Sequence, residues 1–173
     1  MLISEVELSQ LKELAAFARR TYIDAYADGL SPQMLQDHLA HHLSDGRFNE
    51  MAQVDTFYVA YTEGKLVGFV QIGVVEEGYK NFVTAFESKA AEIRRLYVAK
   101  ENQNHGIGLA LLLRALNDST VNQSRCVYIT TWEANDGALR LYQRYGFAKV
   151  GEIPEYGPDG NLNGYEHVLA GSI

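Results

Sequence analysis

A single cysteine, Cys126, stands among 173 residues, so no internal disulfide framework holds this chain together. A reducing compartment, most simply the cytoplasm, is the expected location. Set in a strand-like stretch, Cys126 reads as a small buried hydrophobe rather than a nucleophile. Long apolar runs are missing too. The longest, such as Leu109–Leu113, fall far below the ~18 residues that a bilayer crossing needs. The N-terminus has no basic stretch followed by an apolar one, so neither a membrane span nor export is expected. Positive charge is scarce: 15 Lys and Arg against 22 Asp and Glu give a formal charge of −7, which repels nucleic acid and attracts cationic small molecules. The 11 tyrosines and Trp132 offer rings for base stacking, but the acidic balance argues against that partner. No segment is low in complexity and no internal repeat is visible. A length within ~100–200 residues implies one sizeable core, and a single domain over residues 1–173 is expected.

The apolar positions Leu8, Leu11, Leu14, Ala15, Ala18, Tyr22 and Ala25 recur at three- and four-residue steps, which predicts an amphipathic helix over residues 7–26 behind a short strand at residues 2–6. Ser31-Pro32 reads as N-cap and first helical position, opening a helix through Leu43. A further short helix is expected near Arg47–Val54. Residues 56–61 and 66–75 are rich in β-branched and aromatic side chains, and Glu63-Gly64-Lys65 between them supplies hairpin chemistry. Strands are also expected at residues 91–99 and 125–132, with a largely apolar helix from Gly108 to about Thr120 between them. Asn135 is a plausible N-cap and Gly146 a left-handed stop for another helix. Residues 147–153 and 165–170 form a last strand pair around Gly157-Pro158-Asp159-Gly160. The fold class is α/β, a mixed sheet flanked by helices.

The strand "AEIRRLYVA" leads through Gln103-Asn104-His105-Gly106-Ile107-Gly108 directly into a leucine-rich helix. Backbone N–H groups at such a helix start, reinforced by the helix dipole, form a site for an anion, phosphate being the natural guest. A dinucleotide fingerprint would need glycine or alanine where Leu111 stands, and a P-loop would need Lys-Ser or Lys-Thr where Leu109-Ala110 stands. Neither motif is present. His38, His41 and His42 have helical spacing, but a third metal ligand and the HExxH order are missing, so they read as a polar helix face.

What remains is Gln-x-x-Gly-x-Gly between strand and helix. It resembles the acetyl-CoA loop of the GNAT N-acetyltransferase superfamily. The flanks resemble that family as well: "EIRRLYVAKENQNHGIG" its fourth strand and loop, "VYITTWEANDGALRLYQRYGF" its fifth strand and following helix. Within the superfamily, "WEANDGALRLYQRYGF" and "TYIDAYADGLSP" are most similar to polyamine N-acetyltransferases of the PaiA type. The resemblance implies a mixed, mostly antiparallel sheet with splayed parallel strands four and five, and direct acetyl transfer from acetyl-CoA to an amine of a small cationic substrate such as a polyamine. Two other readings stay open: a non-catalytic acyl-CoA sensor, and a peptide or protein N-acetyltransferase. Family members are often dimers, so a homodimer is an expectation of the same kind.

By the resemblance, Leu96, Tyr97 and Val98 give backbone contacts to pantetheine, one amide lying near the thioester oxygen. The main-chain N–H groups of Gln103, Asn104, His105, Gly106, Ile107, Gly108 and Leu109 hold the pyrophosphate. His105 either assists there or is a position where any polar residue serves. Asn135 and Tyr142, seven residues apart, share one helix face. Asn135 would bond pantetheine, and Tyr142, a phenol of ordinary pKa ~10, would protonate the departing thiolate. The alternative for Tyr142 is a core aromatic between Leu139 and Tyr145. The amine must lose a proton before it attacks. Glu92 is the candidate base, with a solvated strand-end carboxylate as its alternative and Glu133 as competitor. No metal is expected.

Overall fold

A computed structural model describes residues 1–157 and 160–172. The described strands are β1 (Leu2–Glu5), β2 (Thr56–Thr62), β3 (Lys65–Val74), β4 (Ala91–Val98), β5 (Cys126–Trp132), β6 (Ala148–Tyr156) and β7 (Leu162–Ser172). The helices are α1 (Leu11–Tyr26), α2 (Pro32–His42), α3 (Asp45–Met51), α4 (Ile107–Leu116), α5 (Ser119–Asn122) and α6 (Asp136–Arg144). The strands follow the order β1-β2-β3-β4-β5-β7-β6 in one sheet. β1 pairs antiparallel with β2, and β7 antiparallel with both β5 and β6. β4 and β5 run parallel, with Ala91, Glu92 and Ile93 opposite Val127, Tyr128 and Ile129. The mixed α/β sheet expected from the sequence is therefore present.

The chain clusters into two compact units, Met1–Gln71 with Arg95–Ala115, and Ile72–Arg94 with Leu116–Ile173. In the first, the apolar stripe of α1 (Leu11, Leu14, Ala15, Phe17, Ala18) meets Phe48 and Met51 of α3 and Phe57, Val59 and Phe69 of the sheet. Rings of Phe17, Phe48 and Phe57 lie 5.7–6.3 Å from one another or from Phe69. Burying each such side chain is worth ~1.5–3 kcal/mol. Helix α4 packs close to β3 because position 68 has no side chain: a Cβ there would meet the Tyr97 carbonyl at 2.9 Å and Leu111 Cδ1 at 3.0 Å.

In the second unit, Val75, Ala90, Tyr128 and Val168 form a smaller core with Tyr79, Val83 and Phe86 packed on it. The Tyr128 hydroxyl donates to the Ala85 carbonyl at 2.7 Å and accepts from the Glu87 amide at 3.1 Å, which fastens residues 85–87 to β5.

Several boundaries differ from expectation, two of them because a side chain caps a turn; the helix expected near Arg47–Val54 is found at Asp45–Met51. Residues 8–10 form a 3₁₀ turn ahead of α1, because the Gln10 side chain accepts from the Glu7 amide at 2.8 Å in a capping box. The expected helix to Thr120 stops at Leu116, since Asp118 caps a new turn, its Oδ1 accepting from the Thr120 amide at 2.8 Å. Strands β6 and β7 run longer than the sequence pattern implied. Pro158 and Asp159, the centre of the expected turn, lie outside the described residues. The Ser31 cap on α2 matches expectation, its hydroxyl accepting from the Met34 amide at 3.2 Å. No helix among the described residues is long and apolar enough to cross a membrane.

Candidate active site

The anion loop belongs to the first unit. After β4, residues 100–102 make a 3₁₀ turn, Ala99 N–H bonds to the Val67 carbonyl at 3.0 Å, and the exposed residues 103–106 lead into α4. Two of them adopt left-handed backbone angles, Asn104 at φ +62° and Gly106 at φ +80°. Gly106 is the N-terminal cap: its carbonyl accepts from Ala110 N–H at 3.0 Å, which makes Ile107, Gly108 and Leu109 the first helical turn. First-turn amides have no acceptor within their own helix, so they are available to an anion. Ile107 and Leu111 are buried and anchor the helix beneath the exposed loop. Gln103 donates from Nε2 to the Val98 carbonyl at 3.2 Å, tying the loop back to the strand end. His105 is exposed. Leu96, Tyr97 and Val98 close β4 and are half-buried.

The remaining candidates belong to the second unit. Asn135 caps α6, Oδ1 accepting from the Ala138 amide at 3.1 Å, so its carbonyl oxygen is committed and its amide nitrogen is the group left for a ligand. Tyr142, two turns on, is 4% exposed and its ring lies 5.9 Å from Phe147. Glu92 is not a solvated strand-end carboxylate. It is buried, Oε1 accepts from the Tyr79 hydroxyl at 2.6 Å, and Oε2 accepts from Arg94 Nη1 at 2.6 Å. Arg94 also reaches Glu76 at 3.2 Å and donates to the Val74 carbonyl at 2.8 Å, so the arginine that clamps the carboxylate is itself held in place. Glu133 is exposed and bonded through both side chain and backbone to Tyr165.

Other residues near these had no sequence signal. Glu166 stands opposite Trp132 in the β5–β7 ladder. Burial, Glu155 and Glu92 together hold its carboxyl above the usual carboxylate range, against an opposing Thr130 hydrogen bond. Burial and the Glu92 charge push the Tyr79 phenol up. Tyr79 and Glu166 escaped notice because one lies in a 3₁₀ segment without periodicity and the other looks like any strand carboxylate.

The histidines also differ from the polar face expected of them. His41 does sit exposed, its Nδ1 2.8 Å from the Asp37 carbonyl oxygen. His38, by contrast, is half-buried and stacks on Tyr22 with centroids 4.0 Å apart and planes 5° from parallel, and His42 lies 4.8 Å further on. Burial, His42 and Arg95 lower the His38 pKa to about 4 from an ordinary 6.5. The unfolded chain thus takes up that proton first as pH falls, and stability should drop from about pH 6.5 toward pH 4. A phenylalanine at position 38 keeps the stack but cannot titrate. Melting at about pH 5 and pH 7.5 should show a larger acid loss in the native chain than in His38→Phe, by about 2–4 °C, the effect of roughly 1 kcal/mol after solvent screening of a half-buried ring. Equal losses would remove His38 as the cause.

The Acetyltransferase (GNAT) family model matches residues 12–147, most of the chain. The chain belongs to the GNAT acetyltransferase family. An uncharacterized N-acetyltransferase from Lactobacillus delbrueckii subsp. lactis is 23% identical over 152 residues, 87% of this chain and 86% of that one. A spermine/spermidine N(1)-acetyltransferase from Bacillus subtilis is 32% identical over 95 residues, and the match spans 59% of that enzyme and 54% of this chain. Among solved structures, the PaiA N-acetyltransferase from Thermoplasma acidophilum, crystallised with coenzyme A, aligns over all of both chains with a TM-score of 0.72 at 19% identity. The smu.2055 protein of Streptococcus mutans aligns over 99% of each chain with a TM-score of 0.75. This GNAT acetyltransferase therefore shares its whole fold with that group.

Proposed function

We propose that this GNAT protein transfers the acetyl group of acetyl-CoA directly to a primary amine of a small cationic substrate, polyamines among them, as a single cytoplasmic catalytic domain. The observation that carries the proposal is the left-handed Gly106 turn, which opens α4 beneath an exposed loop and leaves its first-turn amides without acceptors in their own helix. The polyamine part draws on the spermine/spermidine relative and on the acidic charge of the chain. In this reading the amides from Gln103 to Leu109 hold the diphosphate, the β4 backbone at Leu96–Val98 aligns the pantetheine arm, and the Asn135 amide adds a contact. The amine nitrogen attacks the thioester carbon, the carbon–sulfur bond breaks, the amine's proton goes to a carboxylate, and the thiolate takes a proton from Tyr142.

Glu92 is the base in this scheme. Its engaged oxygens also favour a second assignment, Glu166, because burial and neighbouring carboxylates hold its carboxyl above the usual range and so make it a stronger base. Glu92→Gln is expected to lower kcat/KM by ~10²-fold and to abolish the acidic limb of its pH profile. If Glu166→Gln does this instead, the base is Glu166. Thermal melting accompanies both, because Glu92→Gln removes one member of the buried Glu92–Arg94 pair, a loss of ~3–5 kcal/mol.

A thiol-release assay with acetyl-CoA and a panel of polyamines, amino acids, aminoglycosides and peptides tests the function. Release that depends on cationic amines supports it. A flat response to every amine, with coenzyme still bound, would leave a sensor.

A further inference from the structure

Arg94 and Arg95 are neighbours on β4, and alternation sends them to opposite faces. Arg94 meets two carboxylates. Among the described residues Arg95 makes no ion pair. Its Nη1 instead donates to the Gln71 amide oxygen at 2.5 Å and lies 3.5 Å from the Met51 sulfur. Gln71, fully buried, turns its own Nε2 to Asp55 Oδ2 at 2.6 Å. The nearby carboxylate thus orients the guanidinium through a neutral amide without quenching its charge.

What surrounds this cation is aromatic. Tyr97, two residues on and on the same face, is flanked by Arg95, Tyr22 and Tyr26, and Tyr22 carries the stacked His38. The charge is felt locally, since Arg95 contributes to keeping both His38 and His42 neutral. A half-buried guanidinium without a counter-ion is costly unless something supplies one. Its planar fork matches a carboxylate. In the first unit the cation lies one residue before Leu96–Val98, the backbone assigned to the pantetheine arm, and so near the start of the acetyl-transfer site.

We infer that Arg95, held by Gln71 and walled by Tyr22, Tyr97 and His38, is a subsite for a carboxylate on the acceptor, so that the substrate class is a diamine bearing a carboxylate, of the lysine and ornithine kind. This rests on the acetyl-transfer reading and narrows its acceptor. The α-carboxylate docks on Arg95 while the distal amine reaches the thioester.

Lysine and cadaverine, or ornithine and putrescine, differ only by that carboxylate, which makes the test direct. Each is titrated calorimetrically into the protein saturated with CoA, and each is assayed for thiol release from acetyl-CoA. The carboxylate-bearing member should bind ~10–100-fold more tightly than its twin, the range for a hydrogen bond to a charged group, and Arg95→Gln should erase the difference. Gln71→Glu, which keeps Arg95 but gives it a permanent counter-ion, should erase it as well; a separate titration of CoA into each variant reports folding. Equal binding of the twins in the native protein, or a preference that survives both substitutions, would overturn the inference. Arg95-dependent lysine binding without turnover would uphold the subsite while removing the acetyl-transfer reading, so the two fail separately.

Discussion

Tyr142→Phe is expected to lower kcat by ~10²–10⁴-fold, the usual range for loss of a general acid, with little change in the affinity for acetyl-CoA. The substitution removes one oxygen and keeps the ring, 4% exposed as tyrosine and 5.9 Å from that of Phe147. Packing is therefore preserved, and melting should shift by a few degrees at most. An ordinary phenol and an ordinary thiol are of similar basicity, which suits a tyrosine to protonating a thiolate. Acetyl donors built on a more acidic thiol than CoA should recover part of the lost rate, because such a thiolate needs less protonation as it leaves. Pre-steady-state thiol release measures both effects. Unchanged kcat in Tyr142→Phe would make the residue a packing aromatic, and another acid would have to be sought.

Gly106→Val should weaken acetyl-CoA binding by ~10–100-fold, read as KM and as calorimetric Kd, while kcat at saturating coenzyme stays close to native. Space is not the reason: a Cβ at position 106 would meet nothing within 4 Å. The reason is φ +80°, a conformation that costs a β-branched residue ~1–3 kcal/mol, so the turn relaxes and the first amides of α4 lose their common aim. Gly64→Val is the matched control. Gly64 has φ +74° in the β2–β3 turn, outside the loop, and its replacement should cost comparable stability without touching coenzyme affinity. Equal weakening by both variants would mean that binding follows global stability and not the loop.

The fold was legible wherever one periodicity ruled a whole segment. The 3.6-residue repeat of α1 appears in the structure as the buried stripe Leu11, Leu14, Ala15, Phe17 and Ala18, and Ser31-Pro32 opens α2 as its chemistry demands. Boundaries were less legible where a side chain competes with the helix, as Asp118 does below α4. The glycine loop could be read in advance because one short stretch carries its backbone demand. The carboxylate and cation networks could not. Glu92 looks like an ordinary strand residue until Tyr79 and Arg94 close on it, and the partners of Arg95, Met51 and Gln71, stand 44 and 24 residues away in the sequence. Sequence separation hides such contacts, since no local pattern links residues that only folding brings together.

The most direct measurement is a titration of isotopically labelled protein with CoA and, in parallel, with pantetheine, following the amide resonances of Gly106, Ile107, Gly108 and Leu109. If backbone donors at the head of α4 receive the diphosphate, these signals shift strongly with CoA and stay in place with pantetheine, which lacks it. Signals that ignore CoA, or that respond equally to both compounds, would contradict the claim on which every assigned role depends.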